Sequence, residues 1–267
     1  MTRIDRQATT RWDSLIADRS SGAHSLGLSA VRLALDSRLP VAALRNDFHR
    51  LAAAHPAMAV LANLALQIER ANSRRELQRI RRTLAQSNAL IARNFQSCLQ
   101  QTFPRRFDLL IVTFSHSSTV LSSLAHARRR FREVLFARSL PLGEGATAAR
   151  EARKIGILAT LIEDRQIRQW VRRSDLVVVG ADTLLPDGSM INKAGTRNLA
   201  GICSRTDKPF WVVASSLKYG IRRRGDLFQN VKGQRVRLFD VTPAPLIGVV
   251  IGEFSVKRSV HPEHRLL

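Results

Sequence analysis

A hydroxyl-rich turn follows the first strand-like run of the chain, with Ser115, Ser117, Ser118 and Thr119 inside five residues. Backbone N–H groups at the start of a helix bind phosphate, and hydroxyl groups beside them add further donors. A helix N-cap would need only one of these hydroxyls. The four together therefore favour a phosphate ligand. His116 in the same turn is either a general acid or base or a hydrogen-bonding residue of the turn.

A carboxylate follows another strand-like run, and an amide and an ammonium group lie about ten residues beyond it. Asp182 comes directly after two small residues, so its carboxylate has space in front of it. Such a group moves a substrate proton or binds sugar hydroxyls. We predict Asn192 and Lys193 at the opening of the next helix, where the ammonium binds phosphate and the amide bridges to a hydroxyl. Asp187 lies in a Pro-Asp-Gly tight turn and is structural.

These residues follow the strands of a predicted parallel sheet. After Pro104, short β-branched runs alternate with segments of helical spacing, which indicates a parallel sheet covered on both faces. Ligands of such sheets bind beyond the carboxyl ends of the strands. The predicted strands are 108–113, 133–137, 157–162, 175–179, 210–214 and 245–251, and the predicted helices are 118–130, 144–154, 165–173 and 192–204.

The first part of the chain has a different hydrophobic period. From Ser14 to about Gln101, apolar residues recur at intervals of three and four, which predicts an antiparallel domain of about four to six helices. Pro40, Pro56 and Asn72-Ser73 mark turns or caps between them. The sequence therefore predicts a helical domain over 1–107 and an α/β domain with a mainly parallel sheet over 108–267.

Charge and composition narrow the function classes. The 267 residues carry a net charge of +22, with 43 Lys and Arg against 21 Asp and Glu, and the surplus is spread along the chain. Genomic base composition explains a diffuse arginine surplus better than a dedicated nucleic-acid surface does, so RNA is a weakly supported partner. Aromatic residues, which single-strand binders use for stacking, make up only 6% of the chain.

The sequence contains no pattern typical of a metal site, a membrane span, a P-loop or a dinucleotide-binding motif. Cys98 and Cys203 lie 105 residues apart without Cys or His at ligand spacing, so we expect buried thiols and no metal. The apolar runs are too short for a membrane span, and the polar N-terminus predicts a cytoplasmic protein without membrane contact. P-loop and dinucleotide fingerprints are absent, and no cofactor is expected.

Several segments resemble one family. DLVVVGADTLLPDGSMINKAGTRNLA and KPFWVVASSLKYG closely resemble the signature of the superfamily that joins the alpha, beta and delta subunits of initiation factor 2B with methylthioribose-1-phosphate isomerase and ribose-1,5-bisphosphate isomerase. IVTFSHSSTVLSSL, LPLGEG, VTPAPLIGVVIGE and DRSSGAHSLGLSAVRLAL are similar to further family segments, in the same order. The resemblance implies a helical domain on a Rossmann-like, doubly wound domain, assembled as a homodimer through the latter or with related subunits.

The resemblance also assigns site residues. The catalytic aspartate of the isomerases matches Asp182, and their substrate-binding Asn-Lys pair matches Asn192 and Lys193. Their catalytic cysteine matches Ser115, whose hydroxyl is a much poorer acid than a thiol. The predicted catalytic residues are Asp182 and Ser115, and the predicted substrate-binding residues are Ser117, Ser118, Glu144, Gly145, Asn192 and Lys193.

Two arginines of the isomerases are missing. In the loop that the family writes ESRPxxEG, Glu144 and Gly145 match, but Leu140 takes the place of the arginine. We expect Arg138 or an N-terminal arginine to substitute for this phosphate-facing arginine. The early RGA motif becomes Ser21-Gly22-Ala23, so a second arginine is also absent.

Three functions remain open from the sequence. The first is a regulatory, non-catalytic protein like the initiation factor 2B subunits, which binds a phosphorylated sugar or nucleotide. The second is an aldose-ketose isomerase of a 1-phosphorylated pentose. The third is an RNA-associated role driven by the positive charge.

Overall fold

Helices form the first part of the chain. The computed structural model describes residues 3–19, 21–37, 39–220, 227–231 and 233–258, with the backbone alone for 3–9. The turn or cap predicted at Asn72-Ser73 is a capping box, because Ser73 Oγ accepts from the Glu76 amide and the Glu76 carboxylate accepts from the Ser73 amide. The helices are α1 (Arg3–Ala17), α2 (Ala23–Asp36), α3 (Val41–Ala54), α4 (Ala59–Arg70) and α5 (Arg74–Thr102).

The second part of the chain is built on a seven-stranded sheet. Its strand order is β12-β11-β7-β4-β1-β2-β3, and all neighbouring pairs are parallel except β11 with β12. The strands are β1 (Leu109–Phe114), β2 (Phe131–Ala137), β3 (Ala159–Ile162), β4 (Leu176–Val179), β7 (Phe210–Val213), β11 (Val249–Ile251) and β12 (Val256–Arg258). This confirms the α/β fold with a mainly parallel sheet, with β1 to β4, β7 and β11 at the predicted positions.

Four crossover helices cover the two faces of this sheet. They are α6 (Ser118–His126), α7 (Glu144–Lys154), α8 (Ile167–Arg173) and α9 (Thr196–Arg205). Buried residues of α6, α7 and the second half of α5 pack on one face, and those of α8 and α9 pack on the other. Because α5 also packs with the other N-terminal helices, it belongs both to their hydrophobic core and to the core on one face of the sheet. The domain division at residue 107 stays a prediction.

The helix predicted from residue 192 is wrong at its start. Residues 190–193 form a strand that pairs antiparallel with residues 239–242, placing Asn192 opposite Asp240 and Lys193 opposite Phe239. The helix begins only after Gly195, whose φ of +106° turns the chain from the strand into α9. The small antiparallel sheet contains β5 (Thr183–Leu184), β6 (Met190–Lys193) and β10 (Phe239–Thr242), and a separate hairpin contains β8 (Phe228–Val231) and β9 (Gln234–Arg237).

The small sheet joins the two parts of the chain. Leu185, Ile191, Leu238 and Phe239 are buried in the same hydrophobic cluster as the N-terminal helices. Thr183 strengthens this contact, because its hydroxyl donates to the Ala57 carbonyl and accepts from the Ala59 amide. The helices are therefore packed over the carboxyl end of β4, where the predicted site lies.

Candidate functional site

A cleft opens where the N-terminal helices meet the carboxyl ends of the parallel strands. It contains about 620 Å³ of space between atoms, including its opening to solvent. The predicted residues that line it are Ser115, Ser117, Ser118, Glu144, Asp182, Asn192 and Lys193. The fold therefore brings together seven of the eight predicted site residues, from segments that are far apart in the sequence.

The turn after β1 uses several of its polar groups internally. Ser115 has a left-handed φ of +68°, its amide donates to Ser139 Oγ at 2.7 Å, and its hydroxyl donates to Glu144 Oε1 at 3.3 Å. Ser117 is the N-cap of α6 and accepts from the Val120 amide. His116 pairs with Glu151 at 2.8 Å, which supports a hydrogen-bonding role in the turn. Part of the hydroxyl pattern is thus explained by capping.

Lys193 and Glu144 form a buried ion pair in the cleft. Their charged atoms lie 2.8 Å apart, and the side chains are 4% and 11% exposed. Glu144 is the first residue of α7, where the helix dipole favours a carboxylate. Its second oxygen, Oε2, is buried and has no hydrogen-bond partner among the described residues. Asn192 Nδ2 donates to Thr196 Oγ1 at 3.1 Å and so fixes its own side chain. The wall of the cleft therefore contains a buried ion pair and a buried carboxylate oxygen that has no hydrogen-bond partner among the described residues.

Asp182 lies on the cleft beyond Gly180 and Ala181. Burial raises the pKa of its carboxyl to about 6, while the positive charge of Lys218 opposes part of this rise. A Cβ on Gly180 would lie 2.6 Å from Ser117 Oγ, so the glycine lets β4 and the β1 turn approach closely. The carboxyl can hold or release a proton near neutral pH, which suits proton transfer as well as hydroxyl binding.

Sequence reasoning missed a second lysine, Lys218. It follows β7, is 3% exposed and lines the cleft, and burial lowers the pKa of its ammonium. No described carboxylate lies within 4.0 Å of it. The turn that carries it is held by Asn63 of α4, whose Nδ2 donates to the carbonyls of Leu217 and Tyr219. The strand-end rule pointed to this segment, but no local pattern marked the lysine as buried.

Two more missed residues, Arg19 and His24, come from the N-terminal helices. Arg19 lines the cleft and donates to the Ile16 carbonyl. Arg19 is thus an N-terminal arginine on the cleft, and an N-terminal arginine was one of the two expected substitutes. His24 is buried on the cleft wall, and burial together with Lys218 lowers its pKa to about 4, so it is neutral at pH 7. The other proposed substitute, Arg138, does not line the cleft, because three hydrogen bonds hold it on Glu163.

Gly145 is the one predicted residue that does not line the cleft. Its amide donates to the Arg138 carbonyl at 3.1 Å. A Cβ at this position would lie 1.8 Å from the Ala137 carbonyl oxygen. The glycine therefore allows α7 to pack directly on the end of β2, which places Glu144 in the cleft.

The raised pKa of Asp182 predicts how stability depends on pH. The native state holds this proton more tightly than the unfolded chain, so stability from this group is present below pH 3.8 and is lost as the pH rises to about 6. Asp182→Asn resembles the protonated carboxyl and should be more stable than the wild type by about 3 kcal/mol at pH 7. Urea unfolding at pH 4, 5, 6 and 7 measures this difference, which should fall to about 0.5 kcal/mol at pH 4.

Asp108→Asn is the control for this measurement. Asp108 is exposed, and its hydrogen bond to Arg106 lowers its pKa, so its removal should give a small effect of the opposite sign. An Asp182→Asn variant that is less stable than the wild type at pH 7 would contradict the raised pKa of the Asp182 carboxyl.

A family model described as the Initiation factor 2 subunit family (IF-2B) matches residues 23–258. The match includes both sides of the cleft. The chain belongs to this family.

Relatives within the family carry two kinds of name. A translation initiation factor eIF-2B subunit 2-like protein of Pyrococcus furiosus is 32% identical over 212 residues, which are 76% of each chain. The ribose 1,5-bisphosphate isomerase of Archaeoglobus fulgidus is 34% identical over 164 residues, which are 54% of this chain and 52% of that protein. Membership of the family therefore does not by itself separate a binding protein from an enzyme.

Solved structures share the fold over nearly the whole chain. The translation initiation factor eIF-2B of Pyrococcus horikoshii OT3 superposes with a TM-score of 0.82 and 27% identity, covering 95% of this chain and 98% of that one. A chain of the tetrameric eIF2B-beta2-delta2 complex from C. thermophilum gives a TM-score of 0.69 at 16% identity, covering 96% and 92%. Related chains of this fold thus occur in multi-subunit complexes.

Two kinds of feature are absent from the part of the chain that the structure describes. None of the described helices is long and apolar enough to cross a membrane. In the same part of the chain, no group of three or more His, Cys, Asp or Glu side chains is arranged to hold a metal ion.

Proposed function

We propose that this chain is a binding member of the family, which holds a phosphorylated sugar or nucleotide in the cleft without converting it. The observation that carries the proposal is the convergence of Lys218, Lys193 and Arg19 in one cleft with the Asp182 carboxyl. A buried ammonium without an ion-pair partner is unfavourable, so its retention points to an anionic ligand. Lys193 is already paired with Glu144, which leaves Lys218 and Arg19 as the main phosphate-binding groups.

The polar groups around these cations suit a hydroxylated ligand. Glu144 Oε2 is a buried acceptor without a partner, and Asp182 adds a second carboxyl on the same cleft. Sugar hydroxyls donate to both groups, whereas inorganic phosphate would be repelled by them. A ligand that places its phosphate near Lys218 and its hydroxyl groups near the two carboxyls therefore matches the charge distribution of the cleft.

The site has no thiol at the position where the isomerases have their catalytic cysteine. Ser115 stands there, with its hydroxyl donated to Glu144. A serine hydroxyl does not ionise near neutral pH, so it does not replace a thiolate in proton transfer. The two cysteines, Cys98 and Cys203, are buried, and burial raises the pKa of both thiols. Neither lines the cleft.

An aldose-ketose isomerase is the second candidate function. It is favoured by Asp182, whose pKa of about 6 allows it to take up and release a proton between two sugar carbons. Resemblance to ribose 1,5-bisphosphate isomerases agrees with this reaction. On this hypothesis Asp182→Asn abolishes turnover and leaves binding largely intact.

A ligand panel tests the proposal. Thermal melting with ribose 1-phosphate, ribose 1,5-bisphosphate, glucose 6-phosphate, AMP, unphosphorylated ribose and inorganic phosphate should show a rise for at least one phosphorylated organic ligand. At a hundredfold excess over Kd, the gain is about 2.7 kcal/mol, or roughly 5–10 °C. Free ribose and inorganic phosphate should give much smaller shifts.

Turnover assays on each binder then separate the two functions. The binding proposal predicts no ketose product with the wild-type protein. Conversion at an ordinary enzymatic rate would establish the isomerase instead. A complete lack of shift with every phosphorylated compound at millimolar concentration would exclude both.

For assembly, we propose pairing with a second copy or with a related subunit, as in the eIF2B-beta2-delta2 complex. Light scattering of the purified chain, alone and with its ligand, measures the number of copies. A monomer under both conditions would exclude the homodimer.

A further inference from the structure

An exposed aromatic ring lies at the amino ends of the parallel strands, whereas the cleft lies at their carboxyl ends. Phe107 lies just before β1 and is 63% exposed. The guanidinium of Arg130 lies 4.4 Å from the centre of its ring. Arg130 is buried and donates to the carbonyls of Leu99 and Phe103 at the end of α5. The guanidinium of Arg130 therefore packs against the ring in a fixed position, and most of the ring surface is exposed to solvent.

Exposed arginines lie beside Phe107 in the chain and at the start of the neighbouring strand β2. The strands β1 and β2 are parallel neighbours with Leu109 opposite Phe131, so the residues that precede them lie at one edge, about 5 Å apart between strands. We define the Phe107 patch as Phe107 with the exposed arginines Arg105, Arg128, Arg129 and Arg132. None of these four arginines has an ion-pair partner among the described residues. Arg106 is neutralised separately, by Asp108 and Asp175.

Local stabilisation explains only part of this arrangement. Cations near the ends of α5 and α6 interact favourably with the helix dipoles. At this end of α5, the Leu99 and Phe103 carbonyls accept from Arg130 and from the backbone amides of Phe103 and Arg106, so they do not need the exposed arginines. An exposed phenyl ring gains nothing from the dipoles, and leaving it in water forgoes its burial energy. The combination of a held ring and unpaired guanidinium groups therefore suits a ligand that carries both phosphate and an aromatic group.

We propose that the Phe107 patch binds single-stranded RNA. The arginines contact successive phosphates, and an unpaired base stacks on the free face of the Phe107 ring. An acidic peptide would satisfy the charges, but its carboxylates offer no aromatic face that could stack on the ring. This site is independent of the ligand cleft, because it lies at the amino ends of the strands and the cleft lies at their carboxyl ends.

Binding of a labelled 12-nucleotide RNA of mixed sequence, measured by fluorescence anisotropy from 50 to 300 mM KCl, tests the proposal. Phe107→Ala and Phe107→Leu should each weaken binding about tenfold without changing the salt dependence, because stacking alone is lost. Arg128→Ala/Arg129→Ala should lower the slope of log K against log salt by about 1.4, corresponding to two phosphate contacts.

Arg75→Ala/Arg79→Ala is the matched control. These arginines are also exposed, lie on α5, and carry the same charge as the pair removed from the patch. Binding by this control should stay within about twofold of the wild type. Equal losses in the two double variants would show diffuse charge and overturn the proposal, as would wild-type affinity in both Phe107 variants. If polyglutamate competes as strongly as RNA, the partner of the Phe107 patch is an acidic protein and the RNA proposal is overturned.

Discussion

Lys218→Met should abolish binding of the phosphorylated ligand and, at the same time, raise the melting temperature of the ligand-free protein. The side chain is 3% exposed, and burial lowers the pKa of its ammonium because the charged form is poorly solvated there. Asp182 offsets part of this cost, but no described carboxylate lies within ion-pair distance. Methionine has a similar length and no charge, so it removes the buried cation without leaving a large cavity.

The two effects have opposite signs for a physical reason. Loss of a buried cation that contacts an anion weakens binding by about 2–5 kcal/mol, which is roughly 30-fold to several-thousand-fold in Kd. Relief of an unfavourable buried charge stabilises the free protein by about 1–2 kcal/mol, or roughly 2–8 °C. Calorimetric titration with the best ligand of the panel measures the first effect, and thermal melting without ligand measures the second.

Lys154→Met is the matched control for this variant. Lys154 is exposed at the end of α7 and lies outside the cleft, so its removal should leave the affinity unchanged. If Lys218→Met melts well below the wild type and still binds the ligand, the lysine is a structural partner of Asp182. The phosphate assignment would then be wrong.

Gly145→Ala should destabilise the protein by about 3 kcal/mol, which corresponds to a fall of roughly 6–12 °C in melting temperature. The added Cβ would lie 1.8 Å from the Ala137 carbonyl oxygen and 3.0 Å from that of Arg138. Both neighbours are backbone atoms at the end of β2, so α7 must move away as a unit. That movement should also separate Glu144 from Lys193 and weaken ligand binding.

Gly201→Ala is the matched control within α9. Its Cβ would approach only the end of the flexible Arg205 side chain, at 3.2 Å. Alanine in a helix interior is favoured over glycine by about 1 kcal/mol, so this variant should be as stable as the wild type or more so. Urea unfolding of both variants gives the comparison. Wild-type stability of Gly145→Ala together with lost binding would instead support the direct ligand role that the sequence suggested.

The sequence alone was enough to predict the sheet and the edge where the cleft lies. Continuous apolar runs, helical crossovers and the strand-end rule are local or general properties, and they led to Asp182 and to the turn at Ser115. Asp187 was also predicted as a turn residue, and the Gly188 amide indeed donates to the Leu185 carbonyl.

Only the tertiary structure decided which of these groups are buried and what they face. The strand at Asn192 exists because it pairs with Asp240, 48 residues further along the chain, a pairing that no local window contains. Lys218 is buried because α4 holds its turn against the cleft, and Gly145 is required by a backbone contact with β2 rather than by a ligand. Burial and close approach arise from segments distant in sequence, whereas helical period and turn chemistry are set by neighbouring residues.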